Sequence, residues 1–354
     1  MKDSMRNNTL TKRFLALFLT IALFVPFFSI NAEEEKVLNI FTWETYIDSE
    51  TLQEFTDMTG IKVNYSTFNT NEEMVLKVVG TPGEYDIILA SDYAINMLRK
   101  EDLLYKLDKD LIPNYKNIAE GYLSKYYDEN NEYTIPYTAG TPLILYDPAV
   151  IDFEITGYED LWDERLNDSI VMIDDARNII GITLKTMGES FNTTDDELLK
   201  KAEEKLASLR PNIRSFNYDS PQFDLISGEC PVGYIFTSFA MIALEERPDL
   251  KVVYPKEGLG FGIDSLVISK DAPHPKNAHK LLNYLLEPEI GARIAEKQYY
   301  MSPNAAAAEF MPDSLKNNPV INIPQDMLKE AEFIQDLGEY DSVYQSIWQR
   351  FKLL

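Results

Sequence analysis

Along the chain, the spacing of apolar positions switches repeatedly between every second residue and every third or fourth. Val37–Thr42 (VLNIFT) is a short apolar run of strand length, followed by a turn over Trp43–Asp48. Ser49–Thr59 sets Leu52, Phe55 and Met58 at helical spacing, with Ser49 as the expected cap and Gly60 as the stop. Ile61–Phe68 (IKVNYSTF) alternates like a strand, Asn71–Val79 returns to helical spacing, and Tyr85–Ala90 (YDIILA) reads as a buried strand. That order implies parallel strands joined by crossover helices. A second run of the same kind follows. Ser169–Ile173 is a strand, Ala176–Met187 a helix, and Pro231–Phe236, Lys251–Tyr254 and Ser265–Ser269 are further strands. Helices are expected over Asn277–Lys297 and Ser342–Lys352. No repeat or low-complexity linker divides the runs, so the expected fold is α/β with two lobes that share chain crossings. In open α/β sheets ligands bind beyond the carboxyl ends of strands.

The first 32 residues have a different logic. Lys2, Arg6, Lys12 and Arg13 precede the apolar run Phe14–Ile30, and Ala32 stands before three glutamates. This is the pattern of a secretory signal, with cleavage expected after Ala32. The run is long enough for an uncleaved membrane anchor to compete as a reading, but Pro26 near its end favours a signal. No cysteine follows it, so a lipid-anchored form is not expected. The mature chain is expected in the periplasm or outside a bacterial cell.

A length of 354 residues suggests two domains. Its formal charge of −25 argues against nucleic acid, whose phosphates need a basic surface. Losing residues 1–32, with four basic side chains and one acid, would take the charge to −28. Cys230 is the single cysteine, which excludes an intrachain disulfide and a cysteine-based zinc site. His274 and His279 read as surface residues, leaving histidine triads and zinc sites without support. Phosphate loops of the GxGxxG or GxxxxGK[ST] type are absent, and so is a GxSxG elbow. No cofactor is expected.

Four places lie at the expected strand ends: Trp43–Tyr46, Ser91–Tyr93, Asp174–Asp175 and Asp264. Adjacent acids at a strand end point to opposite faces, so Asp174 and Asp175 would not flank one bond as a glycosidase pair must. Capping the helix that starts at Ala176 is the simpler role, more so for Asp174 than for Asp175. Asp175 and Asp264 can instead face a cleft and hold ammonium groups by charge-assisted hydrogen bonds. Trp43, Tyr46 and Tyr93 can line an aliphatic chain and offer ring faces to its charged ends. Any one of these residues alone has a plain structural reading.

In order and together, longer motifs carry a resemblance. They are FTWETYI (Phe41–Ile47), TGIKVNYSTFNTNEEM (Thr59–Met74), YDIILASDYAINML (Tyr85–Leu98) and YTIPYTAGTPLILY (Tyr133–Tyr146). They continue with LWDERLNDSIVMIDDAR (Leu161–Arg177), PNIRSFNYDSP (Pro211–Pro221), VVYPKEGLGFGIDSLVI (Val252–Ile268) and YYMSPNAAA (Tyr299–Ala307). The chain resembles the spermidine/putrescine-binding components of bacterial polyamine ABC transporters. That resemblance implies a type II-like periplasmic-binding-protein fold, with crossing strands as the hinge and a ligand cleft between lobes. After a signal over residues 1–32, one lobe would comprise 37–140 plus 264–305 and the other 141–258 plus 306–354. It implies a non-enzymatic, monomeric protein that carries a polyamine to a membrane permease. The residues it assigns to the ligand are Trp43, Glu44, Tyr46, Ser91, Tyr93, Asp175, Phe236, Asp264, Tyr300 and, at the terminal helix, Gln349. Four positions depart from the family pattern: Thr45 where an acid is common, Asn178 in place of an acid, Phe236 in place of tryptophan, and Gly262 in place of a large aromatic. The resulting pocket should be wider, with one carboxylate fewer. A same-fold binder of another organic cation, an amino acid or a ferric ion held by Tyr299-Tyr300 stays open, as does an exported hydrolase using Asp174, Asp175 or Glu44.

Overall fold

The structure, a computed structural model, describes residues 35–44 and 46–354. The signal expected over residues 1–32 and the departure at Thr45 lie outside the described residues.

The first run folds as its spacing predicts. Strand β1 (Val37–Trp43) leads through helix α1 (Ser49–Thr59) to β2 (Lys62–Phe68), and then through α2 (Asn71–Gly80) to β3 (Ile87–Ser91). Both β2 and β3 pair in parallel with β1. Asp48, not Ser49, caps α1: its carboxylate accepts from the Thr51 amide at 3.1 Å and the Thr51 hydroxyl at 2.6 Å. Asp48 has the extended backbone a cap needs, whereas Ser49 is already the first helical residue. Gly60 ends the helix at φ 73°, a conformation that costs glycine little.

Helix α3 (Asp92–Lys100) begins where β3 ends, and β4 (Leu104–Tyr105) and β5 (Thr134–Gly140) follow. The chain then enters a second sheet made of β6 (Leu143–Tyr146), β7 (Ile170–Met172), β8 (Ile213–Phe216), β9 (Val232–Ile235) and β10 (Lys251–Val253), in the order β10-β6-β9-β7-β8. Helices α4 (Ala176–Thr186), α5 (Asp196–Leu209), α6 (Gln222–Ile226) and α7 (Thr237–Glu246) connect these strands. The long strand β11 (Gly260–Ser269) returns to the first sheet, antiparallel between β3 and β5. Ile87–Ala90 and Ile170–Ile173 are buried, which is why they read as unbroken apolar runs. Burying each isoleucine, leucine, valine or methionine of these runs is worth roughly 1.5–3 kcal/mol.

The single helix expected over Asn277–Lys297 is two, α8 (Pro275–Leu285) and α9 (Pro288–Gln298). Pro288 has no amide hydrogen to continue α8 and starts α9 instead. The carbonyl of Leu286, freed at the break, accepts from the side-chain amides of Asn117 and Asn304, each at 3.0 Å. Short helices α10 (Asp313–Lys316) and α11 (Gln325–Glu330) lead to β12 (Glu332–Phe333), which pairs with Gly260–Phe261 of β11. Helix α12 (Tyr340–Lys352) packs Tyr344, Ile347, Trp348 and Phe351 onto the second-sheet side, Trp348 lying edge-on to Phe216 at 5.1 Å.

Neither histidine lies free on the surface as expected. His279 is buried and ties a loop to the start of its own helix: Nε2 accepts from the Asp108 amide at 2.9 Å and Nδ1 lies 2.6 Å from the Pro275 carbonyl of α8. His274 Nδ1 is 3.0 Å from buried Asp86 Oδ2. Both are tied to backbone-organising contacts that helix spacing alone does not reveal.

Candidate functional site

The site begins with the loop that leaves β1. Tyr65 on β2 donates to the Trp43 carbonyl at 2.9 Å and accepts from the Ile47 amide at 3.3 Å. Tyr137 on β5 donates to the Tyr46 carbonyl at 2.8 Å. Two strand tyrosines thus fix both ends of the loop, while Glu44 at its tip is exposed. The loop folds back far enough for the Tyr46 hydroxyl to donate to Asp264 Oδ2 at 2.8 Å, across 218 residues of sequence. Trp43 packs on Phe68 at 4.5 Å, and its indole nitrogen is buried without a hydrogen-bond partner among the described residues.

Asp264 owes its place to register. It lies directly opposite Ser91 on β3, so the end of β3 and the middle of β11 share one edge. Burial raises the Asp264 carboxyl above the ordinary range, partly offset by hydrogen bonds from Ser91 and Tyr46. Burial, with the charge of Asp264 next, holds the Tyr46 phenol far above its usual value. Behind them is Asp92, a buried carboxyl between Ser91 and Tyr93 that no sequence signal marks. It accepts from the Tyr93 amide at 2.7 Å and the Ile263 amide at 3.4 Å. Burial first, then the nearby charge of Asp264, raise it well above the carboxylate range. Two acids this close resist ionising together.

From the second sheet comes Asp175. It is the cap of α4, its Oδ1 accepting from the Asn178 amide at 2.8 Å and the Asn178 side chain at 3.0 Å. The cap expected first of Asp174 therefore belongs to its neighbour. Asp174 points the other way, to Trp348 Nε1 and Lys352 Nζ, each at 2.8 Å. Both bonds to Asp175 use one oxygen, which leaves Oδ2 for another donor. Asn178 is buried and its Oδ1 has no hydrogen-bond partner among the described residues. An acceptor in that condition is costly unless something donates to it.

Two tyrosines register acids from both sheets. Tyr93 accepts from Asn71 at 2.9 Å and donates to Glu72 at 3.2 Å; burial, Glu72 and, more weakly, Asp175 raise its phenol. Tyr218 is raised by burial and by the charges of Asp175, Asp264 and Asp219. Within PNIRSFNYDSP its only sequence signal is its place just after a strand end. Phe236, at the cap of α7, meets Tyr218 edge-on at 6.3 Å.

Tyr300 closes the group. Its ring is 6.4 Å from that of Tyr46, and burial, with a smaller push from Asp264, moves its phenol up to about 12. Met301 holds this segment to β5 by two 3.0 Å backbone bonds with Ala139. Tyr299 turns away and donates to Glu245 at 2.9 Å, so the tyrosine pair does not converge. Gln349 is exposed on α12, whose buried side faces the second-sheet helices, and is not brought to the group. Of the expected residues, Tyr46, Ser91, Asp264 and Tyr300 form one cluster. Asp175 and Phe236 adjoin it through Tyr218, Tyr93 through Asp175, and Trp43 through Tyr46. Glu44 and Gln349 stand outside. Among the described residues no group of three His, Cys, Asp or Glu side chains is arranged to hold a metal ion.

Residues 84–331 match the family model described as bacterial extracellular solute-binding protein. The spermidine/putrescine-binding periplasmic protein of Escherichia coli is 34% identical over 333 residues, covering 94% of this chain and 96% of the relative. That named spermidine/putrescine-binding periplasmic protein 1 in Haemophilus influenzae is 34% identical over 88% of each chain. The crystal structure of a spermidine/putrescine ABC transporter substrate-binding protein from Streptococcus pneumoniae superposes with a TM-score of 0.81 at 33% identity, covering 90% of this chain and 99% of that one.

Proposed function

Because this chain belongs to the bacterial extracellular solute-binding proteins, within the branch of the spermidine/putrescine-binding proteins, we propose that it captures a di- or polyamine between its two sheets and delivers it to an ABC transporter permease. The observation that carries this reading is the pair of acids on opposite sheets. Asp264 is oriented by Tyr46 at 2.8 Å, and Asp175 keeps one oxygen outside its capping bonds. A cation with amino groups at both ends of an alkyl chain needs an acid at each end and apolar or ring surface between. Tyr218, Tyr93, Phe236 and Tyr300 supply that surface.

The chain crosses between sheets at Gly140–Leu143, where the Thr237 hydroxyl accepts from the Thr141 amide at 2.9 Å and donates to the Thr141 carbonyl at 2.8 Å. We read 37–140 plus 264–305 and 141–258 plus 306–354 as the two lobes. A ligand that touches an acid on each lobe favours their closed arrangement, which is what a permease can recognise. Residues 1–32 act as a cleaved export signal, and the mature protein is a monomer without a lipid anchor. Its job is binding rather than catalysis.

The test is a thermal-shift panel on the chain lacking residues 1–32, stripped of carried-over solute by unfolding and refolding. A ligand at a hundred times its dissociation constant adds about 2.7 kcal/mol, which raises the midpoint by several degrees. Putrescine, cadaverine, spermidine or spermine should produce that rise; amino acids and ferric citrate should not. A rise with ferric citrate or an amino acid alone would overturn the reading.

A further inference from the structure

Strand β5 is irregular beside the cleft acid. Its pairs with β11 run Gly140 with Gly262, Ala139 with Ile263 and Thr138 with Asp264, and then step to Pro136 with Ser265. Tyr137 is therefore an extra residue without a partner on β11, a β-bulge. Pro136 gives a local reason. It has no amide to donate to the ladder, and proline within a sheet is confined to edges and bulges.

A bulge frees one side chain from the alternation of its strand and can aim it elsewhere. Here the Tyr137 ring is buried in the first-sheet core with Ile47, and its hydroxyl donates to the Tyr46 carbonyl at 2.8 Å. The far end of Tyr46 donates in turn to Asp264 Oδ2 at 2.8 Å. Asp264 pairs with Thr138, the residue next to the bulge. The two bonds thus leave β5 at Tyr137, pass through the loop, and return to β11 opposite their starting point. Tyr65 bonds the loop on either side, at the Trp43 carbonyl and the Ile47 amide, while Tyr137 holds Tyr46 itself.

We propose that Tyr137, aimed by the bulge, is a positioning residue of the cleft: it fixes Tyr46 so that Tyr46 orients Asp264 toward an amino group, and it does so without touching the ligand. The inference rests on the amine-binding reading above and extends it to a side chain behind the site. A residue that acts only through the shared acid should affect every amine alike, and should lose its effect once the Tyr46 hydroxyl is gone.

Calorimetric titration with putrescine and spermidine tests this on wild type, Tyr137→Phe, Tyr46→Phe and the double variant, with thermal unfolding run on each. Tyr137→Phe removes one oxygen and keeps the ring, so the core packing stays. It should weaken both amines by the same factor, about threefold to tenfold. It should also move the acid loss of affinity to higher pH, the direction expected of Tyr46→Phe. The titratable groups that face Asp264 are Tyr46, Asp92, Tyr127, Tyr218 and Tyr300. Of these only Asp92 is a carboxyl, and its bonds from the Tyr93 and Ile263 amides do not involve the loop. The double variant should bind within about twofold of Tyr46→Phe alone, because the two hydroxyls act in series. A lowered unfolding midpoint with unchanged affinity and acid profile, or losses that multiply in the double variant, overturns the proposal and leaves the amine reading standing. No binding of either amine by wild type overturns both.

Discussion

The acids of the site differ in what surrounds them, and that difference fixes what each substitution should do. Asp264→Asn and Asp175→Asn each remove a charge and keep the shape. A hydrogen bond to a charged group contributes about 1.5–3 kcal/mol, so each should weaken polyamine binding roughly tenfold to a hundredfold by calorimetry. Unchanged affinity in both would remove these residues from the site. Acid should also weaken binding. Burial lifts Asp264, so it picks up a proton as pH falls through that raised value and loses the charge a cation needs. The Tyr46 hydroxyl opposes the lift, so in Tyr46→Phe the acid loss of affinity should move to higher pH. Asp92 predicts a different profile. Its folded-state value lies well above that of an unfolded carboxyl, so the folded chain keeps a proton that the unfolded chain gives up. Stability then falls as pH rises through that window. Asp92→Asn should flatten the fall of the unfolding midpoint between acid and neutral pH; an identical profile would contradict it. At this scale motif order pointed to Tyr46, Asp264 and Tyr300, and the fold brings these three side chains together. Motif order did not show Asp92, because burial beneath a neighbouring acid is a property of the β3–β11 register and not of the letters around it.

Helix starts and strand crossings decide where those residues stand. Asp175 caps α4, and in the proposed function it also presents an acid to the ligand. Asparagine is a good cap, while alanine is not and costs about 1 kcal/mol. Asp175→Asn should therefore lose affinity at nearly wild-type stability, and Asp175→Ala should lose both, as read from denaturant unfolding beside titration. Gly140→Ala should weaken binding as well, because its methyl group would press on the Tyr300 ring and Thr237 at 2.9 Å. Overpacking of this kind costs about 1–3 kcal/mol of stability. Regular spacing made β1, α1, β2, α2 and β3 legible. The break at Pro288 shows in the sequence only as a proline within an otherwise continuous helical pattern. Strands β5 and β6 are not legible in the sequence because Thr134–Tyr146 mixes proline, glycine and threonine, and it is pairing with β11 and β9 that makes strands of them. Which of two adjacent acids caps α4 depended on the backbone angle at each, and Trp348 and Lys352, far along the chain, claim the other.

The whole molecule follows from two α/β runs that exchange strands. The antiparallel return of β11 is the step that composition and periodicity do not predict, and it is what sets Asp264 beside Ser91. A ligand held from both sheets should draw them together, so small-angle scattering should show a smaller radius of gyration on adding a bound polyamine, and none with Asp175→Asn at the same concentration. The acid-rich surface should speed capture of a cation at low salt and slow it as salt screens the field. The most direct test of the account is calorimetric titration of the stripped chain, residues 33–354, with putrescine and spermidine beside the two asparagine variants. The account predicts one ligand per chain bound in the sub-micromolar range, and a loss of about tenfold or more in each variant. Wild-type protein that binds neither amine, or binds them as well without Asp175 and Asp264, would contradict it.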